Sequence, residues 1–474
     1  MKSLHCAAVD LGATSGRVIV GTWANNKLTL TEVHRFRNAF QSLGKHDYWN
    51  IAGLWNEVKT GLEKAAAQFP QLASVGVDTW GVDYALVNAD GRLVYPVHAY
   101  RDARTQAGLE KLANTRAALS RVYAATGIPN VFYNSSLQLA EVVASCPAVE
   151  DLAARCLFLP DYFNYLLSGR MENEFTIAST TQLIDVHSTD WSRQALDYFH
   201  LPAQWFGKPV LSGTKLGKVK DLPALKDTQV IAVPGHDTAA AYDAMPANPD
   251  GSDLYISSGT WSLVGFESDV PVLGDEALKA RVANERTGDG RYRPLTNVIG
   301  FWLLEQTMKD FPSRPQKESE WVKLNNAAAK LPAPATLLDC SDPVFANPPS
   351  MRAAIDAHLK KRKAKAPKDL AGYVRLICDS LGHAHANALR TFERLANRKF
   401  NRILIVGGGS KNRLMCQATA DASGVPVVSY QLEGTAVGNI ASQLIALRAV
   451  KDLATFRQLL GRTLEKKTYE PRSK

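Results

Sequence analysis

The chain begins the same construction twice. Cys6–Gly21, CAAVDLGATSGRVIVG, is an apolar run ending in Asp10, a small-residue turn carrying Thr14, Ser15 and Arg17, then a second apolar run. Leu254–Phe266, LYISSGTWSLVGF, repeats the pattern, with Ile256-Ser257-Ser258-Gly259-Thr260 lying against Val9-Asp10-Leu11-Gly12-Ala13. β-Branched flanks around a glycine turn predict a β-hairpin in each case, and a degenerate repeat of this kind predicts two halves that open alike. Backbone amides around Gly12, Thr14 and Gly16 suit the wrapping of an anion such as a phosphate, Arg17 adds a fixed positive charge, and Asp10 suits a magnesium ion. The same residues also suit an ordinary hairpin whose acid caps a turn.

A chain of 474 residues exceeds what one core usually supports. Ala244–Ser252, AMPANPDGS, is the best linker. The expected domains are therefore 1–245, 250–447 and a C-terminal helix and tail over 448–474. With 46% hydrophobic and 21% charged residues the chain reads as globular. The formal charge of +9 is concentrated in Lys360, Lys361, Arg362, Lys363, Lys365 and Lys368. That run lacks interleaved aromatics, so it reads as a solvated helix end or loop, and no nucleic-acid partner is expected. The six cysteines show no CxxC spacing, which argues for reduced thiols and against a zinc site. No apolar run is long enough to span a membrane, and Asp10 breaks the first one before it can act as a signal sequence. A cytoplasmic protein with no membrane partner is expected.

Along the chain, Leu28–Phe36 predicts a third strand, and Ile51–Gln68 a helix with Ile51, Leu54, Val58 and Leu62 on one face. Ser74–Val87, SVGVDTWGVDYALV, embeds Asp78, Trp80 and Asp83 around Gly81 in apolar surroundings. Buried strands tolerate carboxylates only when these are paired or used, so the cluster points to the mouth of a binding site rather than to a satisfied turn. Arg104 is assigned to the surface, and Asp161, following Pro160, to the cap of a helix. In Val230–Ala241, VIAVPGHDTAAA, a strand passes through Gly235 to His236-Asp237-Thr238 and then into an alanine-rich helix. A carboxylate held there suits a general base, or merely caps the helix.

The segment from Lys309 to Pro334 is polar and proline-broken and reads as a surface excursion. Gly372–Leu389 is helical, with His383 and His385 on different faces and hence no metal pair. Asn401–Ala422 runs a strand into Gly407, Gly408 and Gly409 ahead of an amphipathic helix, a place where backbone can lie flat against a phosphorylated or planar ligand. No GxxxxGK[ST] occurs, and the triple glycine is not a dinucleotide fingerprint. Glu433–Asn439, EGTAVGN, reads as a small-residue turn before a helix from Ile440.

DLGATSGR at 10–17, DTWGVD at 78–83, GHDT at 235–238, SSGTWS at 257–262 and IVGGGSKN at 405–412, in this order, resemble the FGGY carbohydrate kinases. PDYFNYLLSG at 160–169 and TTQL at 180–183 bring the likeness nearest to the members acting on L-rhamnulose. The resemblance implies an α/β fold of two actin-like ATPase, ribonuclease H-like domains around an interdomain cleft, the first binding mostly sugar and the second mostly nucleotide. It implies transfer of phosphate from ATP, with Mg2+, to the 1-hydroxyl of a small ketose, L-rhamnulose before L-fuculose or L-xylulose, by a monomer or homodimer.

By the same resemblance Asp237 is the base, with His236, Thr238, Gly81 and Asn297 at the sugar and Trp80 and Asp83 in the turn around Gly81. Asp10 organises magnesium. Ala13, Thr14, Ser15, Gly16, Arg17 and Thr260 belong to the phosphate loops, and Gly407, Gly408 and Gly409 lie against adenosine. Glu305 stands where these enzymes tend to carry Gln at the nucleotide. A chaperone-like or filament-forming ATPase would need a peptide-binding domain or polymer contacts, which the sequence does not suggest. A non-catalytic sugar sensor would not need Asp10, Arg17, Asp237 and Thr260 together.

Overall fold

The structure, a computed structural model, describes residues 3–113, 115–312 and 314–472. The chain packs as two compact units. The first comprises the chain up to Pro246, Glu267–Pro294 and Glu433–Thr463; the second comprises Ala247–Phe266, Leu295–Leu432 and the chain from Leu464 onward. Both units are thus discontinuous in sequence.

The first unit is built on a six-stranded sheet made from β1 (Leu4–Leu11), β2 (Ser15–Ala24), β3 (Lys27–Arg37), β4 (Leu72–Thr79), β5 (Lys215–Lys218) and β6 (Gln229–Ile231), in the order β3-β2-β1-β4-β6-β5. β1, β2 and β3 form an antiparallel meander, β1 and β6 each run parallel to β4, and β5 closes the edge antiparallel. Strands covered on both faces must be apolar on both; Cys6, Ala7, Ala8, Val9 and Leu11 of β1 are all fully buried. The helix Ile51–Gln68 is capped by Asn50, whose side chain accepts from Gly53 N at 2.9 Å, and buries Ile51, Leu54, Val58, Leu62 and Ala65 in the core of this sheet. The helix Gly434–Ala446 also packs on β1 and β4. It lies so close to the helix Asp237–Asp243 that a side chain at Gly438 would collide with the Ala240 carbonyl.

A seven-stranded sheet comprises β7 (Asp253–Ser258), β8 (Trp261–Gly265), β9 (Ala283–Arg286), β10 (Tyr292–Ile299), β11 (Arg402–Val406), β12 (Val427–Tyr430) and β13 (Lys466–Tyr469), in the order β9-β10-β8-β7-β11-β12-β13. Its core repeats the first sheet: an antiparallel β10-β8-β7 meander, then β11 and β12 parallel to β7, then β13 antiparallel at the edge. The duplication suggested by the two hairpins is thus a duplication of sheet topology. In the second unit the helix Leu370–Leu395 packs on Arg413–Ser423, where Gly382 faces Ala418 and His385 Nδ1 meets Thr419 Oγ1 at 3.0 Å. His385 is buried and His383 exposed, on different faces as expected.

Several expectations are corrected. Lys309–Pro334 contains the 13-residue helix Glu318–Lys330, whose apolar positions were too few to announce it and which rests on Leu370–Leu395. Gly434–Asn439 is not a turn, because the helix begins at Gly434 and small residues let it approach its neighbour. The Arg104 side chain is buried, donating to Gln138 Oε1 at 2.8 Å and pairing with Glu141 at 3.1 Å. Asp161 does not cap its helix: Phe158 is the N-cap residue, and the buried Asp161 carboxyl accepts instead from Glu174 N at 3.0 Å.

Candidate functional site

In the first unit the β1–β2 turn is tied by Gly12 N donating to Ser15 O at 2.9 Å and by Asn38, whose side chain donates to Gly12 O at 2.9 Å. The stretch Ala13, Thr14 and Ser15 is partly to fully exposed, and Gly16 has no room for a side chain against the Phe36 ring. Arg17 lies opposite Asp10 in the hairpin register and donates to Asp10 Oδ2 from Nη2 at 2.7 Å and from Nε at 3.1 Å. Its Nη1 donates to Glu433 Oε2 at 2.7 Å.

Asp78 is the parallel register partner of Asp10 on β4. It is fully buried, accepts from Asn439 Nδ2 at 2.6 Å through Oδ2, and leaves Oδ1 without a partner. Burial raises the Asp10 carboxyl above its ordinary range despite Arg17, and the Asp237 and Glu433 charges push the same way. Burial, then the nearby Asp10, raise Asp78 well above its range. Four acids, Asp10, Asp78, Asp237 and Glu433, therefore share a small region with one guanidinium, an environment that favours added positive charge. Among the described residues no three such side chains converge as a direct metal-binding group.

The strand β6 leads through Val233-Pro234-Gly235 to the helix Asp237–Asp243, with Asp237 in its first turn. The helix cap residue is His236, so Asp237 is not the cap. Gly235 N donates to Glu174 Oε2 at 3.0 Å and His236 N to Thr176 Oγ1 at 3.3 Å, which fixes the backbone just ahead of Asp237. Thr238 Oγ1 donates to Asp237 Oδ1 at 3.1 Å. His236 Nε2 lies 3.5 Å from Asp237 Oδ1, and a side chain at Gly81 would meet that same nitrogen at 3.4 Å and Thr180 Oγ1 at 3.5 Å. Gly81, His236 and Asp237 thus face one small space.

Trp80 and Asp83 stand behind Gly81. Asp83 is buried, and its Oδ2 accepts from Trp49 Nε1 at 2.6 Å, Trp80 Nε1 at 2.9 Å and Tyr100 N at 3.1 Å, while Oδ1 accepts from Gln138 Nε2 at 3.2 Å. Burial pushes this carboxyl up to about 6, the four donors holding it back. Saturated by protein donors, Asp83 is a holder of the Trp49–Trp80 pair, whose rings are 4.3 Å apart.

The second unit carries its own cluster. The β7–β8 turn presents exposed Gly259 and Thr260, with Gly300 N and Trp302 N both donating to Thr260 O, at 3.1 and 3.2 Å. Gly407 has φ +84°, and a Cβ there would lie 2.6 Å from Ser258 O; Gly409 has no space against the Ser258 side chain, whereas Gly408 faces open space. The glycine stretch thereby seats itself on the tip of β7. Its last two glycines open a 3-10 turn, Gly408–Lys411, which leads to the helix Arg413–Ser423. Asn297 is exposed on β10 opposite Leu263. Glu305, on the helix Trp302–Met308, lines a surface cavity of about 410 Å3 with Gln306, Lys309 and Arg314.

Residues 6–242 match the N-terminal domain of the FGGY family of carbohydrate kinases, and residues 254–447 match its C-terminal domain. The chain belongs to the FGGY family of carbohydrate kinases. A protein named rhamnulokinase from Klebsiella pneumoniae is 39% identical over 473 residues, covering 99% of this kinase and 95% of that protein. Another named rhamnulokinase, from an Enterobacter species, is 38% identical over 477 residues, covering 100% and 96%. Solved structures share the fold at low identity: xylulose kinase from Lactobacillus acidophilus with TM-score 0.79 at 15% identity, and glycerol kinase from Plasmodium falciparum with TM-score 0.80 at 12%, each covering 99% of this chain and 94% of the other. The actin-like α/β fold of this kinase is therefore that of the sugar kinases. Among its described residues no helix is long and apolar enough to cross a membrane.

Sequence reasoning missed Glu285, Arg293, Glu174, Asn439 and Glu433. Glu285 Oε2 meets His236 Nδ1 at 3.0 Å, and the fully buried Arg293 pairs with Glu285. Glu285 and Arg293 stand on β9 and β10. Their segment showed no motif: Glu285 lies in the short polar strand Ala283–Arg286 and Arg293 near the start of β10.

Proposed function

We propose that this kinase transfers the γ-phosphate of ATP to the 1-hydroxyl of L-rhamnulose, giving L-rhamnulose 1-phosphate and ADP. The observation that carries the reading is the convergence of Gly81, His236 and Asp237 on one space beside Asp10; the rhamnulokinase name of the full-length relatives supports the choice of sugar. Asp237 takes the proton of the 1-hydroxyl, the freed oxygen bonds to the γ-phosphorus, and the bond to the ADP oxygen breaks. His236, Thr238 and Asn297 hold the sugar, while Trp80 and Asp83 shape the turn that presents Gly81. Ala13 to Arg17 and Thr260 hold phosphates, and Gly407 to Gly409, with Glu305 nearby, hold the nucleoside. Spreading the developing phosphoryl charge carries most of the rate, and Arg17 is the cation placed for it.

Asp10, with Asp78 and Asp237 near it, fits Mg2+, since Asp78 Oδ1 is a buried polar atom without a partner and the acids outnumber the one guanidinium. Asp10 would hold that ion, which would supply charge neutralisation at the phosphates. The segment 1–245 accounts for most sugar contacts, 250–447 for most nucleotide contacts, and 448–474 for the closing helix and tail. The kinase acts as a monomer or homodimer in the cytoplasm on small molecules, with no nucleic acid or membrane involved.

A coupled ADP-release assay over L-rhamnulose, L-fuculose, L-xylulose, L-ribulose and glycerol tests this. L-Rhamnulose gives the highest kcat/KM; ADP release no faster than without sugar for all five would sink the reading.

A further inference from the structure

We infer that Glu285 is a positioning residue that keeps the proton of His236 on Nδ1, so that Nε2 offers a lone pair to a second hydroxyl of the sugar. The inference rests on the reading above, in which His236 meets the sugar, and adds which way the ring donates.

The argument begins with Arg293. Its side chain is fully buried, its guanidinium lies 4.8 Å from the Tyr242 ring centre, and its Nε and Nη1 have no hydrogen-bond partner. A guanidinium stays charged in any protein setting, so it requires a counter-charge where it sits. Glu285 supplies it: burial alone would raise this carboxyl, but the Arg293 charge beside it opposes burial, and the group stands below its ordinary range. An ionised carboxylate only accepts. The 3.0 Å contact between Glu285 Oε2 and His236 Nδ1 therefore places a hydrogen on Nδ1. In the neutral ring the other nitrogen then carries the lone pair.

That nitrogen, Nε2, faces the space at Gly81 and lies 3.5 Å from Asp237 Oδ1. Two acceptors side by side call for a ligand with two hydroxyl donors. One is the 1-hydroxyl, given to Asp237; the other is a second hydroxyl, given to Nε2. A polyhydroxylated ketose meets this demand, and an analogue lacking the second hydroxyl does not.

Arg293 makes the arrangement reversible in a testable way. Its Nη2 lies 3.2 Å from the same Nδ1. With Glu285 present, Nη2 also donates to the carboxylate oxygen that takes the Nδ1 proton. With Glu285 removed, Arg293 donates to Nδ1 and drives the proton to Nε2, turning the sugar-facing acceptor into a donor.

The test is long-range proton–nitrogen correlation on histidine-labelled, sugar-free full-length enzyme at pH 8, with His236 assigned by its loss in His236→Gln. The wild type and Glu285→Gln, which keeps an acceptor oxygen, show Nδ1–H; Glu285→Leu shows Nε2–H, and its KM for the sugar rises at least about tenfold with kcat changed less. Should Glu285→Leu fail to fold around its stranded cation, Glu285→Leu with Arg293→Met removes that cation, and the ring then populates both tautomers. A wild-type ring that is Nε2–H or doubly protonated, or a tautomer indifferent to Glu285, overturns the inference. Because the spectra need no sugar, a wild type that phosphorylates no ketose defeats the functional reading alone.

Discussion

Asn439 donates a 2.6 Å hydrogen bond to Asp78, a residue 361 positions earlier in the chain. The bond ends a buried relay: Ser74 Oγ donates to Gln443 Oε1 at 2.6 Å, Gln443 Nε2 donates to Asn439 Oδ1 at 2.6 Å and to Ala7 O at 2.9 Å. Asn439→Ala leaves both Asp78 oxygens unanswered and costs about 1–3 kcal/mol, read as a lowered urea midpoint. A midpoint unchanged within error shows that water takes over the role.

Asp237→Asn keeps the shape of the base and loses its ability to take a proton. A general base contributes roughly 10²- to 10⁴-fold, so kcat falls at least about 100-fold while calorimetric ATP affinity stays near the wild-type value. Unchanged turnover removes Asp237 from the chemistry.

Glu174 clamps the backbone ahead of that base. Its Oε2 accepts from Thr176 N at 2.9 Å, Ile177 N at 3.1 Å and Gly235 N at 3.0 Å, and Oε1 from Ser212 Oγ at 2.7 Å. In Glu174→Gln an amide N–H2 replaces one acceptor, the Gly235 loop shifts, and kcat drops about 10- to 100-fold through misplacement. Steady-state rates measured well below the melting temperature decide it; a variant that is less stable but fully active shows Glu174 to be structural only.

The Arg17–Glu433 pair makes the opposite prediction. Glu433's side chain is 58% exposed, and exposed ion pairs contribute about 0–1 kcal/mol. Glu433→Gln leaves the melting temperature nearly unmoved, whereas Arg17→Met loses about 10²- to 10³-fold in kcat if Arg17 meets the transferring phosphate. Equal effects of the two changes on turnover would contradict that assignment.

Asp243 sets a pH dependence. Burial pushes its carboxyl up to about 8, Arg457 opposing, and its Oδ1 has no partner. A raised acid keeps its proton in the fold after the unfolded chain has lost it. Its contribution is therefore whole below about pH 4, drains away as pH rises toward 8, and drains no further above. Asp243→Asn removes this slope, about 1.4 kcal/mol per pH unit at most. Urea unfolding at pH 5, 6, 7 and 8 shows a flatter profile in the variant; parallel profiles exclude Asp243 as the cause.

What could be read from the residues was whatever repeats or is local. The two hairpins, the helix Ile51–Gln68 and the strand into Gly407 follow from period and turn chemistry, and GHDT stood out because a carboxylate sits at a strand-to-helix passage. What escaped depends on long-range pairing. Nothing near Arg104 announces that Gln138 and Glu141 will bury it. Asp161 stands after a proline like any cap, yet folding delivers it to the backbone of Glu174. Glu285 and Arg293 look like stray charges until the fold pairs them and sets both against His236.

The helix Gly434–Ala446 belongs to the first unit although almost all the chain precedes it. During synthesis β1 and β4 emerge early with the Ala7 carbonyl, Ser74 and Asp78 facing a place still empty, and the partners for them arrive only with Asn439 and Gln443. The domain begun first thus waits for nearly the whole chain before its core is finished, and a ribosome stalled anywhere before Glu433 holds a sheet whose polar groups at Ala7, Ser74 and Asp78 have only water to answer them.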